Sequence, residues 1–164
     1  MIFFHNQASD LENCGAGNST VLFDEKKEEI VGFYTLSFKS LNIRYLKRYS
    51  KFDALFLNDF INPLGIEDFP VLEIQRFGVV EEMQRKKIGA TMMATIYKDV
   101  LTMRLEYNLP INSIYVDALY EATEFYQALG FEFITFSDDE ERLNLYPMMI
   151  SLEKIGDIVY SSGI

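Results

Sequence analysis

The sequence predicts one α/β domain in which helices pack on a mixed central sheet. Its periodic segments follow the order strand, strand, strand, helix, strand, helix, strand, strand, which is typical of that class. The chain has 164 residues, 49% hydrophobic and 15% aromatic, which is enough for one buried core and argues against disorder. We therefore expect a single domain over residues 1–164, with a loose tail at 155–164.

The first two predicted strands form a hairpin. Strand-forming residues dominate Thr20–Asp24 and Ile30–Phe38, and the polar segment Glu25–Glu29 between them fits a turn. Residues 39–69 are less regular, and they carry a local basic patch from Lys39 to Lys51 in an otherwise acidic chain.

The centre of the chain predicts a strand, a tight turn and a long helix. Residues 73–80 alternate and are rich in strand formers. This alternation puts four residues on one face of the strand: Glu73, Gln75, Phe77 and Val79. Apolar residues then recur at helical spacing from Ile88 to Leu105.

A basic segment stands where this helix begins. Arg85, Lys86 and Lys87 precede Gly89, at a helix end where charged side chains are normally acidic. A helix N-terminus presents unpaired N–H groups and the positive end of a dipole, so it attracts phosphate. The segment predicts either an anion site or, with about equal weight, a solvated helix start.

Four further elements complete the domain. Ile111–Asp117 is the next strand, and Leu119–Leu129 has a helical apolar stripe that ends at Gly130. Phe131–Phe136 and Tyr146–Leu152 are the last two strands.

Charge and composition exclude several classes of protein. The net charge of −10 and the pI of about 4.6 disfavour binding to nucleic acid or to an anionic membrane. A single cysteine, Cys14, excludes an intramolecular disulfide and fits a reducing compartment. The sequence has neither an apolar run as long as a membrane span nor a signal peptide, so we expect a soluble cytoplasmic protein.

Two motifs, in order and about forty residues apart, resemble the GNAT family of acyl-CoA-dependent N-acyltransferases. The family pattern Gln/Arg-x-x-Gly-x-Gly/Ala is matched at Gln84 and Gly89, while Lys87 stands where the first glycine is usual. The second pattern, Ala-x-x-Phe-Tyr-x-x-x-Gly-Phe, is intact at Ala122–Phe131. The resemblance covers roughly residues 20 to 154. The segment 1–19 is too short for the first strand and two helices that members usually have, so it would be either an abbreviated form of that part or a truncated start.

The resemblance implies a GNAT-like fold whose fourth and fifth strands splay apart, with acetyl-CoA in the gap as cosubstrate and no metal. Phe77, Gly78 and Val79 would contact the pantetheine arm through their backbone. The pyrophosphate would lie on a run of backbone N–H groups, contributed by Gln84, Arg85, Lys86, Lys87, Ile88, Gly89 and Ala90. Leu119 stands where many members carry an asparagine, so one polar cofactor contact is absent.

The resemblance also implies catalytic residues. Tyr126 would protonate the leaving thiolate as general acid, with a core aromatic as the alternative. Glu73 stands five residues before Gly78, where some members place a general base. The alternative is a partly exposed carboxylate paired with Arg76 or a lysine. Residues 39–69 would form a substrate-facing loop or, equally, a connector packed on the sheet.

Three functions follow as expectations. The first is an N-acetyltransferase in which the primary amine of an unidentified acceptor attacks acetyl-CoA directly. The second is a toxin-type enzyme acting on aminoacyl-tRNA, because Gly32–Ser37 and Arg76–Val79 resemble that branch of the family; the acidic charge opposes it, and Lys39–Lys51 is the local exception. The third is a non-catalytic module that binds CoA or a protein partner, favoured by Lys87 and Leu119. A homodimer stays open.

Overall fold

The fold is a six-stranded mixed sheet with helices packed on it, as predicted. In the computed structural model, residues 13–42, 68–134 and 144–162 are described. The predicted basic patch beyond Asn42 and the segment that joins the last two strands lie outside these residues, as does most of the N-terminal segment.

Six strands and three helices make up the described chain. The strands are β1 (Asn18–Asp24), β2 (Glu29–Asn42), β3 (Asp68–Val79), β4 (Ser113–Leu119), β5 (Glu132–Phe133) and β6 (Leu145–Ser151). The helices are α1 (Ile88–Leu105), α2 (Thr123–Ala128) and α3 (Leu152–Ser162). Short 3-10 turns precede α1 and α2, at Glu81–Met83 and Tyr120–Ala122.

The strand order is β1-β2-β3-β4-β6-β5, and only the central β3–β4 pair is parallel. Helix α1 supplies the main cover of one face of the sheet. Its apolar stripe is fully buried, at Met92, Met93, Ile96, Tyr97 and Val100. The stripe joins a core cluster with the inward residues of β3 and β4, which include Ile74 and Ile114.

The two central strands separate soon after they meet. Within the described chain, β3 pairs with β4 only at Leu72–Ile114 and Glu73–Tyr115. Beyond this point β3 continues to Val79 beside β2, and β4 continues to Leu119 beside β6. The splayed pair expected from the resemblance is therefore present, and Glu73 and Tyr115 lie at its vertex.

A β-bulge corrects the predicted faces of β3. Thr35 pairs with Arg76 and the next residue, Leu36, pairs with Ile74, so Gln75 is an extra residue in β3. An extra residue reverses the alternation of side chains. Phe77 therefore packs against the same core cluster as Ile74, and the prediction that it shares a face with Glu73 is wrong.

The C-terminal segment is also corrected, because residues 155–162 belong to helix α3. Ile155 is fully buried, and Ile158 and Val159 pack against the same core. These residues have the i, i+3, i+4 spacing of an amphipathic helix, which gives the segment an apolar face to bury against α1. The Lys154 ammonium also binds the Glu132 carboxylate at 2.7 Å. The predicted loose tail is wrong over this range.

Candidate active site

The open edge of β3 presents backbone groups to the gap between β3 and β4. The Val80 N–H donates to the Val31 carbonyl of β2 at 3.0 Å. Successive residues of a strand point their backbone groups to alternate sides. Those of Phe77 and Val79 therefore face the gap, where β3 has no strand partner within the described chain. The Gln84 side-chain amide donates to the Val79 carbonyl at 3.2 Å, so the Val79 N–H is the group left for a ligand.

Gly78 has a different position from its two neighbours. By the same alternation its backbone groups face β2, and a Cβ at this residue would lie 2.8 Å from the Phe33 ring. Gly78 thus gives Phe33 room to pack across the strand pair. The structure does not bring it to the open edge with Phe77 and Val79.

The turn before α1 forms a cradle of N–H groups. Arg85 and Lys87 adopt left-handed backbone angles, with φ of 61° and 64°. The first α-helical hydrogen bond runs from Thr91 N–H to the Lys87 carbonyl. The N–H groups of residues 85–90 make no hydrogen bond to other described residues. The side chains of Arg85, Lys86 and Lys87 are exposed beside them, so this turn has the charge and the donors to hold a phosphate group.

Lys87, which departs from the family pattern, has a left-handed backbone angle. A φ near +60° is the conformation that glycine adopts without steric cost. Lys87 keeps this conformation although it has a side chain. The backbone angle at this position is therefore one that favours glycine, although the residue is lysine.

Gly89 brings three elements into contact at this end of the gap. A Cβ at Gly89 would lie 3.2 Å from the Phe125 ring and 3.6 Å from the Phe77 ring. The rings of Phe77 and Phe125 are 5.6 Å apart, centroid to centroid. The absence of a side chain at Gly89 thus lets the first turn of α1 sit against both β3 and α2.

Tyr126 lies next to this contact, in an aromatic cluster. Its ring centroid is 6.4 Å from that of Phe77, 5.2 Å from that of Phe125 and 5.3 Å from that of Phe131. Burial raises the pKa of Tyr126 to about 12, so its hydroxyl keeps its proton at physiological pH. No described residue hydrogen-bonds this hydroxyl. Tyr126 is therefore a protonated donor whose partner would come from outside the described chain.

Glu73 belongs to a different group of residues, at the vertex of the gap. Its carboxylate accepts a hydrogen bond from the Ser37 hydroxyl at 3.1 Å and binds the Lys39 ammonium at 2.6 Å. The same ammonium lies 3.5 Å from the Asp117 carboxylate and 4.3 Å from the centre of the Tyr115 ring. The alternative that Glu73 pairs with a lysine is confirmed, and the lysine is Lys39.

The sequence indicated Glu73 but not its three-strand cluster. Lys39 is 34 residues from Glu73 and 78 residues from Asp117 along the chain. Only the strand register brings these residues together, and the one sequence signal was a lysine near the end of a predicted strand. Leu119, at the usual asparagine position, is 52% exposed at the end of β4, and it offers no polar contact to a ligand there.

No group of three or more metal-binding side chains occurs within residues 13–42, 68–134 and 144–162. None of the helices described is both long enough and apolar enough to cross a membrane.

Comparisons with known proteins agree with this geometry. A family model described as the acetyltransferase (GNAT) domain matches residues 65–152. Among solved structures, one of a bacterial toxin is 18% identical, with a TM-score of 0.76 over 97% of this chain and 80% of that chain. No curated protein sequence matches.

Two other solved structures were determined with ligands. AtaT complexed with acetyl-methionyl-tRNAfMet is 18% identical, with a TM-score of 0.71 over 96% of this chain and 84% of that chain. AtaTR bound with AcCoA is 19% identical, with a TM-score of 0.71 over 96% of this chain and 83% of that chain. At these identities the likeness concerns the fold.

Proposed function

The chain belongs to the GNAT acetyltransferase family, and from that membership we propose that it transfers the acetyl group of acetyl-CoA to the primary amine of an acceptor. The observation that supports the proposal is that three features lie around the gap between β3 and β4. The open edge of β3, the N–H cradle of residues 85–90 and the protonated Tyr126 hydroxyl belong to elements that meet around Gly89. AtaTR, whose fold is similar, was determined bound with AcCoA.

In this proposal acetyl-CoA binds to backbone groups that have no hydrogen-bond partner in the described chain. The N–H groups of residues 85–90 donate to the pyrophosphate, and Arg85, Lys86 and Lys87 neutralise its charge. The Val79 N–H and the backbone groups of Phe77 pair with the amides of the pantetheine arm, as an added strand would. Bound in this way, the arm runs along the edge of β3 toward the vertex at Glu73 and Tyr115.

The chemistry requires a proton donor for the leaving sulfur. Acetyl-CoA supplies an activated acyl group as a thioester, and the acceptor amine attacks its carbonyl directly. Tyr126 donates its hydroxyl proton to the sulfur as the carbon–sulfur bond breaks. Burial raises the pKa of Tyr126 and so makes it a weaker acid, but its hydroxyl is protonated at physiological pH, as a proton donor must be.

The general-base role of Glu73 is a separate proposal, and it requires a change in the contacts of its carboxylate. Both carboxylate oxygens already have donors, Ser37 on one and Lys39 on the other. Glu73 could take a proton from the amine only if one of these contacts opens or a water molecule relays the proton. An amine that arrives unprotonated still loses one proton after it attacks, and water or the Tyr126 phenolate, which has given its own proton to the sulfur, could take this proton instead of Glu73.

A narrower proposal names aminoacyl-tRNA as the acceptor. AtaT, which was determined in complex with acetyl-methionyl-tRNAfMet, supports this proposal through similarity of fold. The net charge of −10 opposes it, because tRNA binding normally needs a cationic surface. A mobility-shift assay with tRNA over a range of salt concentrations tests whether the chain binds tRNA, since phosphate contacts give a steep salt dependence.

A thermal-shift screen tests the function itself. Acetyl-CoA, CoA and longer acyl-CoAs are compared at equal concentration, because a specific ligand raises the melting temperature by mass action. Release of free CoA thiol in the presence of candidate amines then reports turnover. A ligand that binds without thiol release would instead favour a non-catalytic binding module.

A further inference from the structure

We propose that Lys39 is an acceptor within the chain itself, and that the acetyl group of bound acetyl-CoA is transferred to its Nζ atom. This proposal rests on the acetyltransferase function proposed above and adds a modification site to it. The Lys39 side chain carries a primary amine, the chemical group that this function acetylates. Its nitrogen lies where the gap between β3 and β4 begins.

The Lys39 side chain leans along the sheet toward the gap. The Lys39 backbone pairs with Val71, two residues before Glu73 on β3. Asp117 lies two residues after Tyr115, the last β4 residue that pairs with β3 in the described chain. The Lys39 ammonium nevertheless contacts Glu73 at 2.6 Å and Asp117 at 3.5 Å. The side chain therefore crosses β3 and ends at the first residues of the gap.

The contacts of Lys39 hold its nitrogen at this point. Two carboxylates on neighbouring strands bind it, and the centre of the Tyr115 ring lies 4.3 Å away. The Tyr115 hydroxyl donates to the Asp117 carboxylate at 2.5 Å, which orients that carboxylate. The Lys39 side chain is still 30% exposed. An amine that is held in place but accessible needs little reorganisation before it reacts.

The length of the pantetheine arm brings the thioester to this amine. The arm has roughly twelve bonds from the pyrophosphate oxygen to the sulfur, as many as about four residues of extended backbone, which span about 13 Å. In the proposed binding mode the arm starts at the cradle of residues 85–90 and runs beside Val79 and Phe77. About four residues along β3 from Val79 lead to Gln75. The acetyl carbonyl lies beyond the sulfur and therefore reaches the vertex at Glu73.

The two faces of the sheet supply different groups at the vertex. Phe77 and Tyr126 belong to the core cluster on the face that α1 covers. The bulge at Gln75 puts Glu73 on the opposite face, and its contact with Lys39 puts the Lys39 nitrogen there as well. In the described chain β3 and β4 do not pair past the vertex. A thioester in this gap would therefore meet a proton donor from one face and an amine from the other.

The transfer balances without a further reactant. The Lys39 ammonium already donates to Glu73, so its first proton passes to that carboxylate with no change of contacts. The lone pair of the neutral amine attacks the thioester carbon, and the nitrogen–carbon bond forms. The carbon–sulfur bond breaks as Tyr126 protonates the sulfur.

The remaining protons return the chain to its starting state. The acylated nitrogen loses its second proton through water to the Tyr126 phenolate, and Glu73 releases the first proton to solvent. The products are free CoA, one acetylated lysine and one proton. The new amide is uncharged and has no amine left to react, so the transfer stops at one group on Lys39.

Peptide mapping by mass spectrometry after incubation of the wild-type chain with acetyl-CoA tests the proposal. Acetylation of Lys39 blocks trypsin at this residue, so the peptide 28–44 should appear with one acetyl group. The matched control is Lys154, whose ammonium also binds a glutamate, Glu132, at 2.7 Å. Glu132 is on β5, on the far side of β6 from the gap, and the Lys154 side chain is 42% exposed. Non-enzymatic acetylation would favour the more exposed Lys154, whereas we expect Lys39 to be modified at least about tenfold faster.

Two further measurements on the wild-type chain locate the donor. Excess CoA should suppress the modification of Lys39 but not that of Lys154, and the rate per chain should not depend on protein concentration. Equal rates at the two lysines, no suppression by CoA, or a rate that rises with protein concentration would overturn the proposal. If acetyl-CoA raises the melting temperature and an added amine releases thiol, but Lys39 stays unmodified, this proposal alone fails. If acetyl-CoA leaves the melting temperature unchanged and Lys39 unmodified, the acetyltransferase function fails with it.

Discussion

The Lys39 ammonium lies 2.6 Å from the Glu73 carboxylate, at the vertex where β3 and β4 separate. It also lies 3.5 Å from Asp117, so one cation holds two carboxylates on neighbouring strands. The side chains of Lys39 and Glu73 are 30% and 18% exposed, which places the pair between a surface and a buried ion pair. The cluster ties β2, β3 and β4 together beside the proposed reaction centre.

Lys39→Met should therefore destabilise the protein more than Glu73→Gln does. Loss of the ammonium removes the cation that both the Glu73 and the Asp117 carboxylates contact, whereas loss of the Glu73 charge leaves Lys39 with Asp117. We expect a cost of about 1–3 kcal/mol for Lys39→Met, reduced from fully buried values because solvent reaches the pair. Urea unfolding of the single and double variants measures it. Equal costs for the two single variants would contradict the assignment.

Lys87→Gly should raise the free energy of unfolding by between zero and about 1 kcal/mol. A residue with a side chain in the left-handed region costs roughly 1–2 kcal/mol, and the greater freedom of glycine in the unfolded chain offsets part of the gain. Lys86→Gly is the matched control, because it removes the same charge at a residue without a positive φ. That control should lose stability. A loss of equal size at both positions would show that the backbone angle at Lys87 is not strained.

The stability of the protein should fall as the pH rises above about 10. Burial raises the pKa of Tyr126 from 10.0 to about 12 and also raises the pKa of Tyr97. Between the two values the unfolded tyrosine has lost its proton and the folded one has not, so unfolding becomes more favourable with pH. The shift at Tyr126 corresponds to about 3 kcal/mol, present below pH 10 and lost by pH 12. Tyr126→Phe should make the slope in urea unfolding shallower; an unchanged slope would mean that Tyr126 titrates as in the unfolded chain.

Tyr126→Phe should slow turnover by about a hundredfold to ten-thousandfold, the usual range for a general acid. The substitution keeps the ring and its contacts with Phe77, Phe125 and Phe131, so folding and affinity for acetyl-CoA should stay close to wild type. Steady-state kinetics with an accepted amine give kcat, and calorimetry gives the affinity. A wild-type rate in the variant would show that the Tyr126 hydroxyl has no catalytic role and that the ring serves in packing only.

Local patterns predicted the elements, because strand alternation and helical spacing each depend on a few neighbouring residues. The hairpin of β1 and β2, the long helix α1 and the order of the later elements follow from such patterns. The bulge at Gln75 could not be predicted in this way. It depends on how β3 aligns with β2, and one extra residue moves Phe77 to the face of Ile74.

Part of the candidate site could be predicted from the sequence, and part of it could not. The cradle at residues 85–90 and the position of Tyr126 follow from short contiguous motifs. The Lys39–Glu73–Asp117 cluster joins three strands that are far apart in the sequence. The left-handed angle at Lys87 could not be predicted from the sequence, because the residue is not glycine. Helix α3 was missed because its apolar stripe is short and close to the last residue of the sequence.

The most direct test of the central claim is a calorimetric titration of acetyl-CoA into the wild-type chain, Val79→Ala and Val79→Pro. The two variants shorten or constrain the same side chain, but only proline removes the Val79 N–H that faces the gap. We predict one acetyl-CoA per chain, near-wild-type affinity for Val79→Ala, and an affinity for Val79→Pro that is roughly threefold to tenfold weaker, the size of one hydrogen bond. Absence of acetyl-CoA binding to the wild-type chain, or equal affinities for the two variants, would contradict the placement of the cosubstrate along β3.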